Sequence, residues 1–228
     1  MSVVIIPARG GSKSIKGKNL YKFCGKPLIY WTILQAKLSK FVKKIIVSSD
    51  DNKILEYCSS LEIDTIKRPK DISGDEASSE SALIHTVKKY NLKKELIIFL
   101  QATSPLRFPL DIDKAITKAN NSKNKVLFSA SKLEDIIIWE KSNKKLKCIN
   151  ADWENRIPRQ LYKKKYLIEN GSIYIFPAHH LLKEENRMSI NMDIYYMKLW
   201  QSNEIDTLED LKFCEKLFSE NLLKRYLK

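Results

Sequence analysis

Acidic residues are missing from the start of this 228-residue chain: no Asp or Glu precedes Asp50, whereas ten Lys or Arg do. A loop that collects Arg9, Lys13, Lys16 and Lys18 with no acid nearby serves either solubility or an anion. Cysteine is scarce and scattered. Cys24, Cys58, Cys148 and Cys214 form no CxxC pair, which excludes a disulfide framework and reads as free thiols in a reducing cytosol. Histidine is scarcer still, with three. His179 and His180 are neighbours that point apart on a helix without a cysteine or HExxH partner, so surface positions are expected, and His85 fits a packing or hydrogen-bonding role inside a helical pattern. No apolar stretch approaches the ~20 residues a membrane helix needs, and VVIIPARG is too short for a signal-peptide core. The expectation is a soluble, cytoplasmic protein with no membrane partner, no internal repeat and no low-complexity linker.

What is present suits one sizeable domain that completes its core without metal or disulfides. The formal charge of +14 permits nucleic-acid binding through phosphate attraction. The 4 Trp and 10 Tyr are scattered rather than interleaved with basic runs such as Lys163, Lys164 and Lys165, which speaks against that use. Val3 to Ile6 reads as a strand buried on both faces, and Pro27 opens a helix through PLIYWTILQAKLSKF. Strands follow at 44–47, 64–66, 95–100, 125–130, 169–177 and 192–199, with helices over 52–61, over ESALIHTVKKY and from Thr207 or Leu208 onward. Ser78 or Ser79 can cap the helix that follows RPKDISGDEASS. Strand alternating with helix of about 10 to 15 residues is the signature of a layered α/β sheet with helices on both faces. Residues 131–168 break the rhythm with short strands and many lysines, and read as an excursion used in self-association.

In open α/β sheets the loops after the carboxyl ends of strands form the ligand crevice. Four such loops are chemically loaded: ARGGSKSIKGKN, SSDD, QATSPLR and the turn around Asp206. Gly10 and Gly11 let backbone N–H groups approach phosphate oxygens, Ser12 adds a hydroxyl, Arg9 a planar fork, and Lys13 and Lys18 mobile charges. The stretch matches neither the standard P-loop nor the dinucleotide fingerprint, so a basic surface turn stays open beside a nucleotide site. Gln101 suits a sugar or base edge, or else satisfies loop backbone. Arg107 can reach an anion or pair with Asp111 or Asp113. Glu204 and Asp206 are two apart, so in an extended segment both face one side and can share a divalent cation, while caps of the following helix are the ordinary alternative.

Taken together, IIPARGGSKSIKGKN, SSD, RPKDISGDEASS, QATSPLR, PRQ, NGSIYIF and EIDTLEDL resemble, nearly end to end, the cytidylyltransferases that activate N-acylneuraminate and related nonulosonic acids, the CMP-sialic acid synthetases. The resemblance implies a Rossmann-like three-layer nucleotidyltransferase fold with a mostly parallel sheet, one domain over 1–228 with a small dimerisation lobe inserted at about 131–168, and a homodimer. It implies transfer of CMP from CTP to the anomeric hydroxyl of a nonulosonic acid, with Mg²⁺. Arg9, Ser12, Lys13 and Lys18 would hold the triphosphate, and Asn19, Arg68 and Ser79 would contact the nucleotide. Gln101, Asn170 and, from the lobe, Arg159 would serve the substrate, with Asp206 and Glu204 at the metal.

Two positions depart from the family pattern: Trp139 stands where some sialate-specific members have lysine, and Ile168 followed by Glu169 where they have arginine before NGAIY. Lys163, Lys164 or Lys165 could restore positive charge, and more apolar contact there suits a relative such as legionaminate. Two readings compete: a cytidylyltransferase for another acidic sugar such as a 3-deoxy-octulosonate, and a non-catalytic basic nucleic-acid-binding protein.

Overall fold

The acid-free opening becomes strand β1 (Ser2–Pro7) in the computed structural model, which describes residues 1–12, 14–123, 125–133, 136–143, 145–158, 161 and 166–226. After a small hairpin of β2 (Lys22–Phe23) and β3 (Lys26–Pro27) come α1 (Leu28–Lys37), β4 (Lys44–Ser49), α2 (Asn52–Ser60), β5 (Asp64–Lys67) and α3 (Ser79–Lys89). The chain continues as β6 (Leu96–Leu100), α4 (Pro109–Asn121), β7 (Leu127–Leu133), the hairpin β8 (Trp139–Ser142) with β9 (Lys145–Cys148), β10 (Tyr166–Pro177), α5 (Ala178–Glu184), β11 (Asp193–Tyr196) and α6 (Leu208–Phe218). Helix ends are set by local chemistry. Asp51 Oδ1 accepts from Lys53 N at 2.7 Å to start α2, and Ser78 rather than Ser79 caps α3 through Ser81 N at 3.1 Å.

Seven strands form one sheet in the order β11-β7-β10-β6-β1-β4-β5. Every pairing is parallel except the two made by β10, so the mostly parallel sheet carries one reversed strand near its middle. Side chains alternate across β1: Val4 and Ile6 pack with Ile29, Ile33 and Ile112 on one face, and Val3 and Ile5 with Leu83, Val87 and Phe176 on the other. Helices therefore cover both faces, which makes three layers. A third cluster joins Ile15, Trp31, Ile205, Leu211 and Phe218, and ties the loop after β1 to the segment before α6. Among the described residues no helix is long and apolar enough to cross a membrane.

The excursion is shorter than expected. β7 runs on to Leu133, β10 begins at Tyr166 and the two pair there, so the chain leaves the sheet only between them. Within the excursion, Trp139 and Trp153 lie with ring centroids 6.4 Å apart, both exposed. β10 also contains a bulge. Glu169 and Tyr174 are five residues apart, but their β7 partners Ala130 and Phe128 are two apart, so β10 holds three extra residues. An odd number of extra residues reverses the alternation, and Glu169 and Tyr174 emerge on the same face.

Candidate functional site

β1 sits where strand order reverses, with β4 on one side and β6 on the other, and a cleft of about 350 Å³ opens at the carboxyl ends of β1 and β6. Arg9, Ser12, Lys18, Asn19, Arg68 and Ser79 all border it, so the structure brings together residues separated by up to 70 positions. The loop after β1 is held from beneath. Gly10 N donates to Asp50 Oδ1 at 3.0 Å, and a Cβ on Gly10 would lie 2.7 Å from Asp51 Cβ, so this glycine is needed for close packing and its N–H is already engaged. A Cβ on Gly11 would meet nothing within 4 Å. Asn19 Nδ2 donates to Arg9 O at 2.9 Å, which directs that amide to the loop backbone.

The cations meet carboxylates across the cleft. Arg9 Nη1 lies 3.0 Å from Asp75 Oδ1, and Lys18 Nζ lies 2.9 Å from both Ile205 O and Asp206 Oδ1. Lys18 is mostly enclosed at 12% exposure, whereas Asp206 is 70% exposed. Arg68 is buried with Nε and Nη2 lacking any hydrogen-bond partner, and the nearest charge is Asp50 at 3.8 Å. Burial holds its guanidinium pKa below the ordinary value, opposed by Asp50. A buried cation with unused donors facing a cleft is suited to an anionic or carbonyl-bearing ligand. Ser79 opens α3, so the positive end of that helix faces the same space.

Caps of α6 are supplied by other residues than the carboxylate pair. Thr207 Oγ1 accepts from Asp210 N at 3.2 Å, and Asp210 Oδ2 accepts from Thr207 N at 2.7 Å. Glu204 and Asp206 flank Ile205, which is fully buried and donates its N–H to Thr103 O at 2.8 Å, so both carboxylates lie away from the core. Burial, then the neighbouring Asp206, pushes the Glu204 carboxyl above its ordinary pKa. A divalent cation would relieve that repulsion. Among the described residues no group of three His, Cys, Asp or Glu could hold one alone, so an ion there would need water or a ligand's oxygens to complete its shell.

At the far end, Gln101 Nε2 lies 3.4 Å from Glu204 Oε2 and 3.5 Å from Thr103 Oγ1. Gly171, in the β10 bulge at φ +60°, is where a Cβ would come within 1.8 Å of Glu204 Oε1. Asn170 is buried, accepts from Ser129 Oγ at 2.6 Å, and keeps Nδ2 without a partner. Tyr174 donates its hydroxyl to Glu169 Oε1 and stacks on Phe99 at 5.3 Å. Arg187 sits 4.5 Å above the Tyr174 ring and pairs with Glu80 in the first turn of α3.

Arg107 corrects its sequence reading. It is fully buried and reaches neither the cleft nor Asp111 or Asp113; its donors go to Ser172 Oγ (2.9 Å), Thr32 Oγ1 (3.1 Å) and Gln101 O (2.6 Å). Burial lowers its pKa to about 9. It fastens the Gln101 loop to α1 and β10. Lys13, Arg159, Lys163, Lys164 and Lys165 lie outside the described residues. His179 is exposed, His180 is half-buried against Met188 O at 3.0 Å, and His85 keeps a buried Nδ1 without a partner. Sequence reading missed Asp75, Tyr174 and Arg187, whose partners lie 66, 5 and 107 positions away.

A family model described as cytidylyltransferase matches residues 3–227. A pseudaminic acid cytidylyltransferase of Campylobacter jejuni is 29% identical, over 96% of this chain and 97% of that one. A CMP-N,N'-diacetyllegionaminic acid synthase of Legionella pneumophila is 30% identical, again over 96% and 97%. An N-acylneuraminate cytidylyltransferase of Streptococcus agalactiae is 32% identical over 91% of this chain, which spans only 51% of that relative. Among solved structures, a CMP:2-keto-3-deoxy-manno-octonic acid synthetase complexed with CTP superposes with a TM-score of 0.72 over 97% of this chain and 99% of that one, at 18% identity. At that identity the likeness speaks for the fold alone.

Proposed function

The chain belongs to the cytidylyltransferase family, and on that footing we propose that it transfers CMP from CTP to the anomeric hydroxyl of a nonulosonic acid. The observation that carries this reading is the cleft itself, where Arg9, Lys18, Arg68 and the start of α3 meet at the strand switch point opposite Glu204 and Asp206. In the reaction the anomeric oxygen bonds to the α-phosphorus, the bond from that phosphorus to the bridging oxygen breaks, pyrophosphate leaves, and the hydroxyl proton passes to water. Such transfer depends on placement and on neutralising charge.

Arg9 and Lys18 hold the triphosphate, exchanging their carboxylate partners for phosphate oxygens, with Ser12 and the open Gly11 as further donors. Lys13 is proposed for the same role from its place in the loop. Arg68, Ser79 and Asn19 face the nucleoside. Gln101, Asn170 and Arg159 serve the sugar acid. Asp206 and Glu204 are proposed to hold Mg²⁺, which when bound neutralises charge on the phosphate oxygens. Relatives named for pseudaminic, legionaminic and N-acylneuraminic acids support a nonulosonic acid as acceptor.

A second copy of the chain is proposed to cover the excursion, where Ile136, Leu146, Trp153, Ile157 and Leu161 are all exposed. The four free cysteines and the supply of CTP suit the cytoplasm. Incubation with CTP, Mg²⁺ and a panel of sugar acids, with release of pyrophosphate as the readout, tests the activity. Turnover of one or more nine-carbon acids is expected; turnover of a 3-deoxy-octulosonate alone would overturn the reading.

A further inference from the structure

Against Phe99, which borders the cleft, lies a chain of contacts that the proposed reaction does not use. It runs from Glu80 at the start of α3, through the Arg187 guanidinium and the Tyr174 hydroxyl, to the Glu169 carboxylate. The bulge makes it possible. Because three extra residues reverse the alternation of β10, Glu169 lies on the face of Tyr174, and Tyr174 is paired in register with Phe99 of β6, which borders the cleft. Glu169 itself is exposed. Ile168 falls on the other side of the strand.

We propose that Glu169 is a specificity-determining residue for the acceptor, accepting a hydrogen bond from a hydroxyl or acylamino N–H of the sugar acid, and that Tyr174 and Arg187 are positioning residues that hold it. This rests on the activity proposed above. An ionised carboxylate only accepts hydrogen bonds, so it rewards a donor on the ligand and repels the ligand's own carboxylate. Tyr174 is enclosed and stacked on Phe99, and Arg187 spans both rings with Nε buried and unpartnered, so Glu169 leans on a rigid support rather than on solvent.

The test compares wild type with Glu169→Leu, Glu169→Gln, Tyr174→Phe, Arg187→Met and Arg187→Lys. The probe is whichever of N-acetylneuraminate, N,N'-diacetyllegionaminate and pseudaminate the wild-type enzyme turns over. Loss of a hydrogen bond to a charged group predicts an acceptor KM about 10- to 100-fold higher for Glu169→Leu. The KM for CTP and the melting temperature stay near wild type. Tyr174→Phe and Arg187→Met raise the acceptor KM by less, and Arg187→Lys recovers part of the loss. An unchanged acceptor KM in Glu169→Leu, or an equal rise in the KM for CTP, would overturn the inference. A wild-type enzyme inactive on all three acids would instead overturn the proposed activity, and the inference with it.

Discussion

At one end of the cleft, Arg9 and Lys18 project from the loop after β1, whose interior is fully buried, and Arg68 from the end of the edge strand β5, and each faces a carboxylate within 4 Å. At the other end, Glu169, Asn170 and Gly171 sit in a bulge of the reversed strand β10, where no cation comes from the strand itself. In the proposed reaction the first end suits a highly charged ligand, whose phosphate oxygens would replace Asp75 and Asp206 as partners of Arg9 and Lys18. In the proposed reaction the second end would discriminate by shape and hydrogen bonding. A shared donor of CMP and a variable acceptor call for these two designs, because triphosphate is constant in its charge while sugar acids differ in single substituents.

The difference is most readily broken at the cationic end. Lys18→Ala removes the enclosed ammonium and lowers turnover by about 100- to 1,000-fold, the range typical of losing one donor aimed at developing charge. The melting temperature changes little, since Lys18 anchors only a loop. Steady-state pyrophosphate release checks this, and a loss of less than tenfold would remove Lys18 from the reaction.

A smaller and pH-dependent effect is expected at Glu204, which lies between the two ends. Its carboxyl binds a proton more tightly in the folded chain than in the unfolded one, so its stabilising contribution is full below the ordinary value of 4.5 and is lost as pH rises through the raised value. Glu204→Gln removes that decline and is more stable than wild type at neutral pH without metal. Wild type should gain about 1.4 kcal/mol from Mg²⁺ at tenfold excess over its Kd, or ~3–6 °C in Tm. The gain should be larger at pH 8 than at pH 5 and much reduced in Glu204→Gln. Thermal melts with and without Mg²⁺ measure all four conditions, and an equal metal shift in both proteins would remove Glu204 from the metal site.

The smallest effect on the cleft is expected from the excursion. Leu146→Asp combined with Trp153→Asp should convert a dimer to monomer in sedimentation velocity while leaving CTP affinity within about twofold, since neither residue borders the cleft. A dimer that survives both changes, or a monomeric wild type, would rule out this surface as the interface.

Legibility in the sequence follows the same division. β1, β4 and β6 are recognisable because strands buried on both faces read as unbroken apolar runs, and the cationic loop is contiguous, so most of its residues are found together. The reversal of β10 is not legible, because IENGSIYIFP has the same apolar character whichever way it runs. Arg107 misleads for a related reason: its burial depends on Thr32 and Ser172, 75 and 65 positions away. Thr207 and Asp210 are an ordinary capping pair in EIDTLEDL, and reading that spacing would have released Asp206 and Glu204 from the capping role beforehand.

The three surplus residues of β10 make the acceptor end sensitive to length as well as to chemistry. Deleting one residue from 170–173 with the three-residue bulge retained would slip the register by one, draw Glu169 into the bulge and bring Ile168 opposite Ala130, on the face of Tyr174. A single codon gained or lost at this point could therefore exchange a carboxylate for a hydrocarbon in the sugar pocket while leaving the nucleotide loops untouched, a route by which one catalytic frame could be redirected among sugars in a single step.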